Sequence, residues 1–257
     1  MTPTSPTSPR AATPQRVAAL GPFFAFEAHG ADGPVEPWRS MAELLDRPGA
    51  LAERVAGSRG HLAAAGGQPF EAVELRVAAS VTQLGLVARV LSPAFGVAVL
   101  DGTLFGYGLR EARWQPTPGG LFPLSLPARA PVPVAEPAVL AERFAAEVLD
   151  GPVRELTEAF AEFGVSPRIR WGNVASAVNG AAAAVVRASP QLGVRARELA
   201  ARLLDLPPLR GAGTVAADGT GFRRRSCCLI YRAAPDRAGG LCGDCVLTAP
   251  PGVRDKA

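Results

Sequence analysis

All four cysteines of this 257-residue chain fall between positions 227 and 245, a concentration that no other residue type matches. They come as Cys227-Cys228, a spacer of thirteen residues, and then Cys242-Gly-Asp-Cys245. Neighbouring side chains on a strand point to opposite faces, so an adjacent pair can serve one site only where the backbone turns. The second pair is a C-x-x-C knuckle, in which Gly243 is expected to let the chain turn tightly enough for both sulfurs to face one centre. Four thiolates in two pairs suit a single four-ligand site. A tetrahedral zinc prefers ligands two or more residues apart, whereas a two-iron cluster offers positions far enough apart to use adjacent cysteines. On the residues alone, an iron-sulfur cluster, a zinc site and structural or regulatory thiols all remain open. His29 and His61 lie far upstream and read as surface or boundary residues, not ligands.

The rest of the chain is even in composition. Hydrophobic residues make up 48% and charged residues 19%, which excludes disorder over the whole length. The length suits one large domain, or one domain with a small appendage. With few aromatics and much alanine, the core must be built from Ala, Leu and Val, which favours closely packed helices. Twenty-seven basic against 23 acidic side chains leave a net charge of +4, spread along the chain without a basic stripe, so a nucleic-acid partner is not expected. A pI near 9.2 permits an anionic partner. Arg89 and Arg187 interrupt the two most apolar stretches, so at most peripheral membrane association is expected. Residues 1–14 are rich in Thr, Ser and Pro, lack an apolar segment, and read as a disordered lead-in, not a secretory signal. A cytoplasmic location follows as an expectation. Thiols stay reduced there, which moves the cysteines away from disulfides and toward a metal.

Periodicity gives the organisation. A helix with a break near Pro48-Gly49 is expected over 40–65, and the strongest helix over 72–91, where Val73, Val77, Val81, Leu84, Ala88 and Leu91 recur at spacings of three and four. Pro93 is expected to end or kink it. Two or three short strands are expected over 101–127, with Pro118-Gly119-Gly120 as the clearest turn. The Pro-rich stretch 127–137 reads as a connector or edge strand. Helices follow over 138–150 and 153–163, split at Gly151-Pro152, then over 166–188 with Ser166 as N-cap and Pro167 at its first position, and over 194–206. A strand over 220–231 leads into the cysteines. The fold class is α+β, largely helical, with a small antiparallel sheet and a C-terminal Cys-rich cluster-binding lobe. Its parts are the lead-in 1–14, a mainly helical domain 15–210 with its sheet near 101–127, and a cluster segment 211–257.

The tail phrases Arg224-Arg-Ser-Cys-Cys-Leu-Ile-Tyr231 and Cys242-Gly-Asp-Cys245 resemble the C-terminal signature of the FhuF-like ferric siderophore reductases, 2Fe-2S proteins of bacterial iron uptake. The resemblance is specific over roughly 222–247. It is more diffuse at Leu91-Ser-Pro, at the Trp114 strand and at Trp171-Gly172-Asn173. That family's usual spacer between the pairs is ten residues, so the thirteen found here are expected to lengthen a hairpin loop containing Pro235 and Gly239-Gly240. The resemblance implies that Cys227, Cys228, Cys242 and Cys245 ligate a 2Fe-2S cluster. It further implies that single electrons pass from the cluster to a ferric siderophore, releasing Fe(II) in the cytoplasm. The alternative is an iron-sulfur or zinc sensor without reductase activity.

Arg223 to Arg225 lie beside the first pair and suit either stabilisation of the reduced cluster or attraction of an anionic chelate or acidic donor, with Arg224 and Arg225 the nearest. Trp171, Trp114 and Tyr231 are candidates either to wall a chelate site or to pack in the core; Asn173 is expected to make a helix-end hydrogen bond, the alternative being donation to a ligand. Gly211-Ala-Gly213 imitates a dinucleotide fingerprint but lacks the preceding strand and following helix. Electrons are therefore expected from an external donor, a ferredoxin-type protein or a soluble reductant.

Overall fold

The computed structural model describes residues 14–31, 33–117, 121–216 and 221–247. The expected lead-in, apart from Pro14, and the expected turn at 118–120 lie outside the described residues.

Eight α-helices order the described chain: α1 (Pro14–Ala18), α2 (Glu43–Asp46), α3 (Ala50–Ala65), α4 (Leu75–Asp101), α5 (Pro137–Phe144), α6 (Arg154–Ala159), α7 (Pro167–Ala188) and α8 (Gly193–Asp205). The central one is α4, flanked by α3 and α7, with α8 packed on α7. Pro93 does not end it. All eleven residues from Arg89 to Val99 are buried, so unwinding here would strand backbone polar groups in an apolar interior, at a cost exceeding the roughly 3 kcal/mol of an internal proline. Ser92 Oγ also donates to the Ala88 carbonyl at 2.6 Å in the turn that Pro93 weakens.

Length and a mean hydropathy of 1.6 would let α4 cross a membrane, but 78% of its apolar window is buried inside the protein, as in a core helix. Arg89 does not break this run at a surface. It is buried, and donates from Nε to Phe122 O at 3.1 Å and from Nη1 to Phe23 O at 2.8 Å, tying α4 to the segments that carry the sheet. Burial lowers its pKa to about 10, which leaves it charged at neutral pH.

The sheet joins strands from two regions: β1 (Glu27–His29), β2 (Arg39–Ser40), β4 (Arg113–Trp114) and β5 (Leu124–Pro127), in the order β1-β5-β4-β2. Pairing of β1 with β5 is parallel and the rest is antiparallel, so the sheet is mixed instead of purely antiparallel. Its first and last strands come from the region before α2, where Gly and Pro obscured any strand pattern. Strands β3 (Thr103–Leu104) and β6 (Val132–Pro133) form a second pair, and β7 (Gly213–Val215) with β8 (Phe222–Arg224) a third.

Two helix boundaries follow the sequence closely. Ser166 Oγ accepts from Ile169 N–H at 3.4 Å with Pro167 opening α7, and Gly151, at φ −93° and ψ −118°, breaks the stretch between α5 and α6. The alanines of α7 let it lie close to its neighbours: Ala175, Ala177, Ala181 and Ala182 are all buried.

Candidate metal centre

The cysteines are delivered by β8, which is held on both sides. Arg225 N–H donates to Ala212 O at 2.9 Å, and Arg224 N–H donates to Asp244 O at 2.9 Å, bringing the C-x-x-C knuckle against the strand. The expected strand over 220–231 ends at Arg224, because the adjacent cysteines need a turn. Leu229 supplies it in the left-handed region at φ 71°, a conformation that costs a non-glycine residue about 1–2 kcal/mol. Its N–H then donates to Cys227 Sγ at 3.3 Å.

The spacer does not form a hairpin. It folds into two 3₁₀ turns, Ile230–Ala233 and Pro235–Arg237, closed by Gly239 N–H on Tyr231 O at 3.0 Å. It is docked on the start of α4. Ser80 Oγ donates to Cys228 O at 2.8 Å, Arg232 pairs with Glu74, and Gln68 Nε2 donates to Ala233 O. The knuckle turns through Cys245 N–H on Cys242 O at 3.1 Å, and Leu247 N–H donates to Cys245 Sγ at 3.4 Å. Gly243 is not what makes this turn possible: it has no positive φ, and a methyl group added there would meet nothing within 4 Å.

Sulfurs from the two motifs meet. Those of Cys228 and Cys242 lie 3.6 Å apart. Cys228 and Cys245 are buried, Cys227 and Cys242 half-buried, and none of the four is in a disulfide. No three His, Cys, Asp or Glu among the described residues surround a single-ion position. Sulfurs from both motifs therefore converge, as four thiolates on one 2Fe-2S cluster require.

The Cys242 hydrogen bond, aided by the Ile230 N–H and the Arg224 charge, draws the Cys228 thiol down to about 6 against the effect of burial. The same bond, and then burial, push Cys242 well up. Burial first, and neighbouring cysteines further, push Cys227 up to about 11.

Beneath the sulfurs runs a buried polar chain. Asn173, fully buried on α7, donates to Ser80 O at 3.0 Å, Ser80 Oγ at 3.1 Å and Gln83 Oε1 at 2.6 Å, while its Oδ1 accepts from Arg224 Nη2. Gln83 Nε2 continues to Arg170 O at 3.1 Å. Gly172, the residue before Asn173, lets α7 lie against this segment: a Cβ there would sit 2.1 Å from Ser226 Oγ. Arg224 Nε, Arg224 Nη1 and Ser226 Oγ are buried and have no protein partner. Buried donors need acceptors, and these flank the first cysteine pair. A cluster of sulfides and thiolates is such an acceptor, so the residues present fit a 2Fe-2S group held by Cys227, Cys228, Cys242 and Cys245.

The other predicted site residues are dispersed. Arg224 is 1% exposed, which places it beneath the cysteines and away from a substrate surface. Arg225 is exposed, and its carbonyl accepts from Arg168 Nη2 at 2.6 Å. Tyr231 is half-buried in the docked loop. Trp171 is half-buried under the Arg154 guanidinium, 4.9 Å from its ring. Trp114 packs edge-on to Phe122 at 5.4 Å in the core. Asn173 makes no helix-end bond; it joins α7 to α4 and to β8. Ser80 and Gln83 were missed, though two polar residues three apart inside so apolar a helix are a readable signal.

Fold and site together define a protein with a 2Fe-2S cluster. Residues 224–247 match the family model described as the FhuF 2Fe-2S C-terminal domain, and this match supports the FhuF-like assignment. No curated protein matches the chain.

Proposed function

We propose that this protein is a ferric-siderophore reductase, releasing iron as Fe(II) in the cytoplasm. The observation that carries this reading is the asymmetric burial of the sulfurs: one of each sequence pair, Cys227 and Cys242, reaches the half-exposed edge while Cys228 and Cys245 are buried. An electron can leave across such an edge to a chelate too bulky to enter the protein. The cluster, when bound, supplies one electron at a time. Oxygen-donor chelators hold hard ferric ion far better than ferrous ion, so one electron per iron loosens the complex. Arg225 stands exposed beside the first pair, positioned to attract an anionic chelate or an acidic donor protein; Tyr231 and Trp171 offer partly exposed aromatic surface nearby. The electron comes from an external donor, a ferredoxin-type protein or a soluble reductant.

The test is stoichiometric. Protein reduced under argon and freed of excess reductant is mixed with a ferric hydroxamate and a chromogenic ferrous chelator. One Fe(II) per reduced cluster is expected, and Cys228→Ser is expected to lose both the visible absorption and the release. Coloured, reducible protein that frees no iron from any ferric siderophore would favour an iron-sulfur sensor, and colourless protein carrying one zinc would defeat the reductase and favour a zinc sensor.

A further inference from the structure

Among the described residues, Arg224 is the largest side chain that is less than 2% exposed. A guanidinium so placed ordinarily has a carboxylate partner, because a lone buried charge is costly. Among the described residues its side chain makes one hydrogen bond, to the neutral Asn173, and two of its nitrogens, Nε and Nη1, have no partner. The strand fixes its backbone through Asp244 O, and Asn173 is itself fixed by three donations to Ser80 and Gln83. The same Ser80 holds the Cys228 carbonyl, so the cation and the buried ligand hang from one residue of α4. Arg223 and Arg225, its neighbours in sequence, are exposed and screened by water.

We propose that Arg224 is the fixed positive charge that sets the reduction potential of the cluster, with Asn173 as the residue that positions it. This rests on the reading that the four cysteines hold a 2Fe-2S cluster. One-electron reduction adds one negative charge to that group. A buried, permanently charged guanidinium nearby favours the reduced form and raises the potential, and its two unpartnered N–H groups are donors available to sulfur. Burial protects the effect from salt.

The experiment is a spectroelectrochemical titration of the loaded protein and its variants, followed at the visible bands. Arg224→Met, which keeps the volume and removes the charge, is expected to lower the reduced-to-oxidised ratio at fixed ambient potential at least tenfold, a 59 mV shift. Arg224→Lys is expected to retain most of the wild-type ratio, and Arg223→Gln, the same charge change at an exposed site, to alter it less than twofold. Raising the salt tenfold should leave the difference between wild type and Arg224→Met intact. A merely structural Arg224 would lower thermal stability without moving the potential; here the melting temperature of Arg224→Met is expected to hold or rise while the potential falls. If Arg224→Met does not load a cluster, Arg224→Lys and Asn173→Ser carry the test, and Asn173→Ser is expected to lower the ratio by freeing the guanidinium. A reduced-to-oxidised ratio within twofold of wild type in every loadable variant overturns the proposal. Wild-type protein without visible bands would instead overturn the cluster reading on which it rests.

Discussion

Gly172→Ala measures how closely α7 abuts the cysteine segment. Its backbone is helical, with no positive φ, so alanine on an otherwise open helix would stabilise by about 0.5–1 kcal/mol. Here the new methyl would lie 2.1 Å from Ser226 Oγ, over an ångström inside ordinary contact, with Arg224 Nη2 at 3.4 Å and Ser226 Cβ at 3.5 Å. The overlap is with one atom, and the next two contacts are normal. Overpacking of this kind costs about 1–3 kcal/mol, so the net expectation is a loss of roughly 1–2 kcal/mol. At about 2–4 °C per kcal/mol for a chain of this size, the thermal midpoint should fall by about 2–8 °C. In a Ser226→Ala background the clashing oxygen is gone, and Gly172→Ala should become neutral or raise the midpoint. The coupling between the two substitutions is therefore expected at about 1–3 kcal/mol. Four anaerobically loaded proteins melted at one scan rate give the cycle, with visible circular dichroism reporting the cluster. Equal effects of Gly172→Ala in both backgrounds would refute the contact and the docking of α7 beneath the first cysteine pair.

The glycines of the cysteine segment should separate in the same way. Gly243→Ala is expected to load and melt like wild type, whereas Gly239→Ala, whose Cβ would sit 2.7 Å from Tyr231 O, should cut cluster retention during gel filtration. His29 gives a pH effect. Burial first, and then the Arg113 charge, lower its pKa below 6.5, so the folded protein prefers it neutral. Its contribution to stability is present above the unfolded pKa and is lost as pH falls below about 6.5 and through the lower folded value. Urea midpoints measured over that range should fall more for wild type than for His29→Gln, and parallel curves would show that His29 is not the group responsible.

The cysteine site was legible because its information is local: residue type, spacing, and the need for a turn between adjacent ligands can be read within the tail. Helices α4 and α7 were legible from periodicity and from the Ser166-Pro167 start. The continuation of α4 through Pro93 was not, because burial on every side, a tertiary fact, outweighs a local breaker. Gly243 misled for a related reason. Glycine in a knuckle suggests a special backbone angle, yet the strained position fell to Leu229, whose sequence carries no such mark. The polar chain from Cys228 through Ser80 and Asn173 to Arg224 joins residues far apart in sequence, and no spacing rule connects them.

That chain also bears on how the centre is built. Ser80, Gln83 and Asn173 all precede Cys227, so the residues that hold the cysteine segment are synthesised before the first ligand. The matched stretch of residues 224–247 takes its partners from outside itself, Ser80 for the Cys228 carbonyl and Asn173 for the Arg224 side chain. Grafted onto another scaffold it would carry four thiols and a buried cation, but neither the hydroxyl nor the amide that holds them in register.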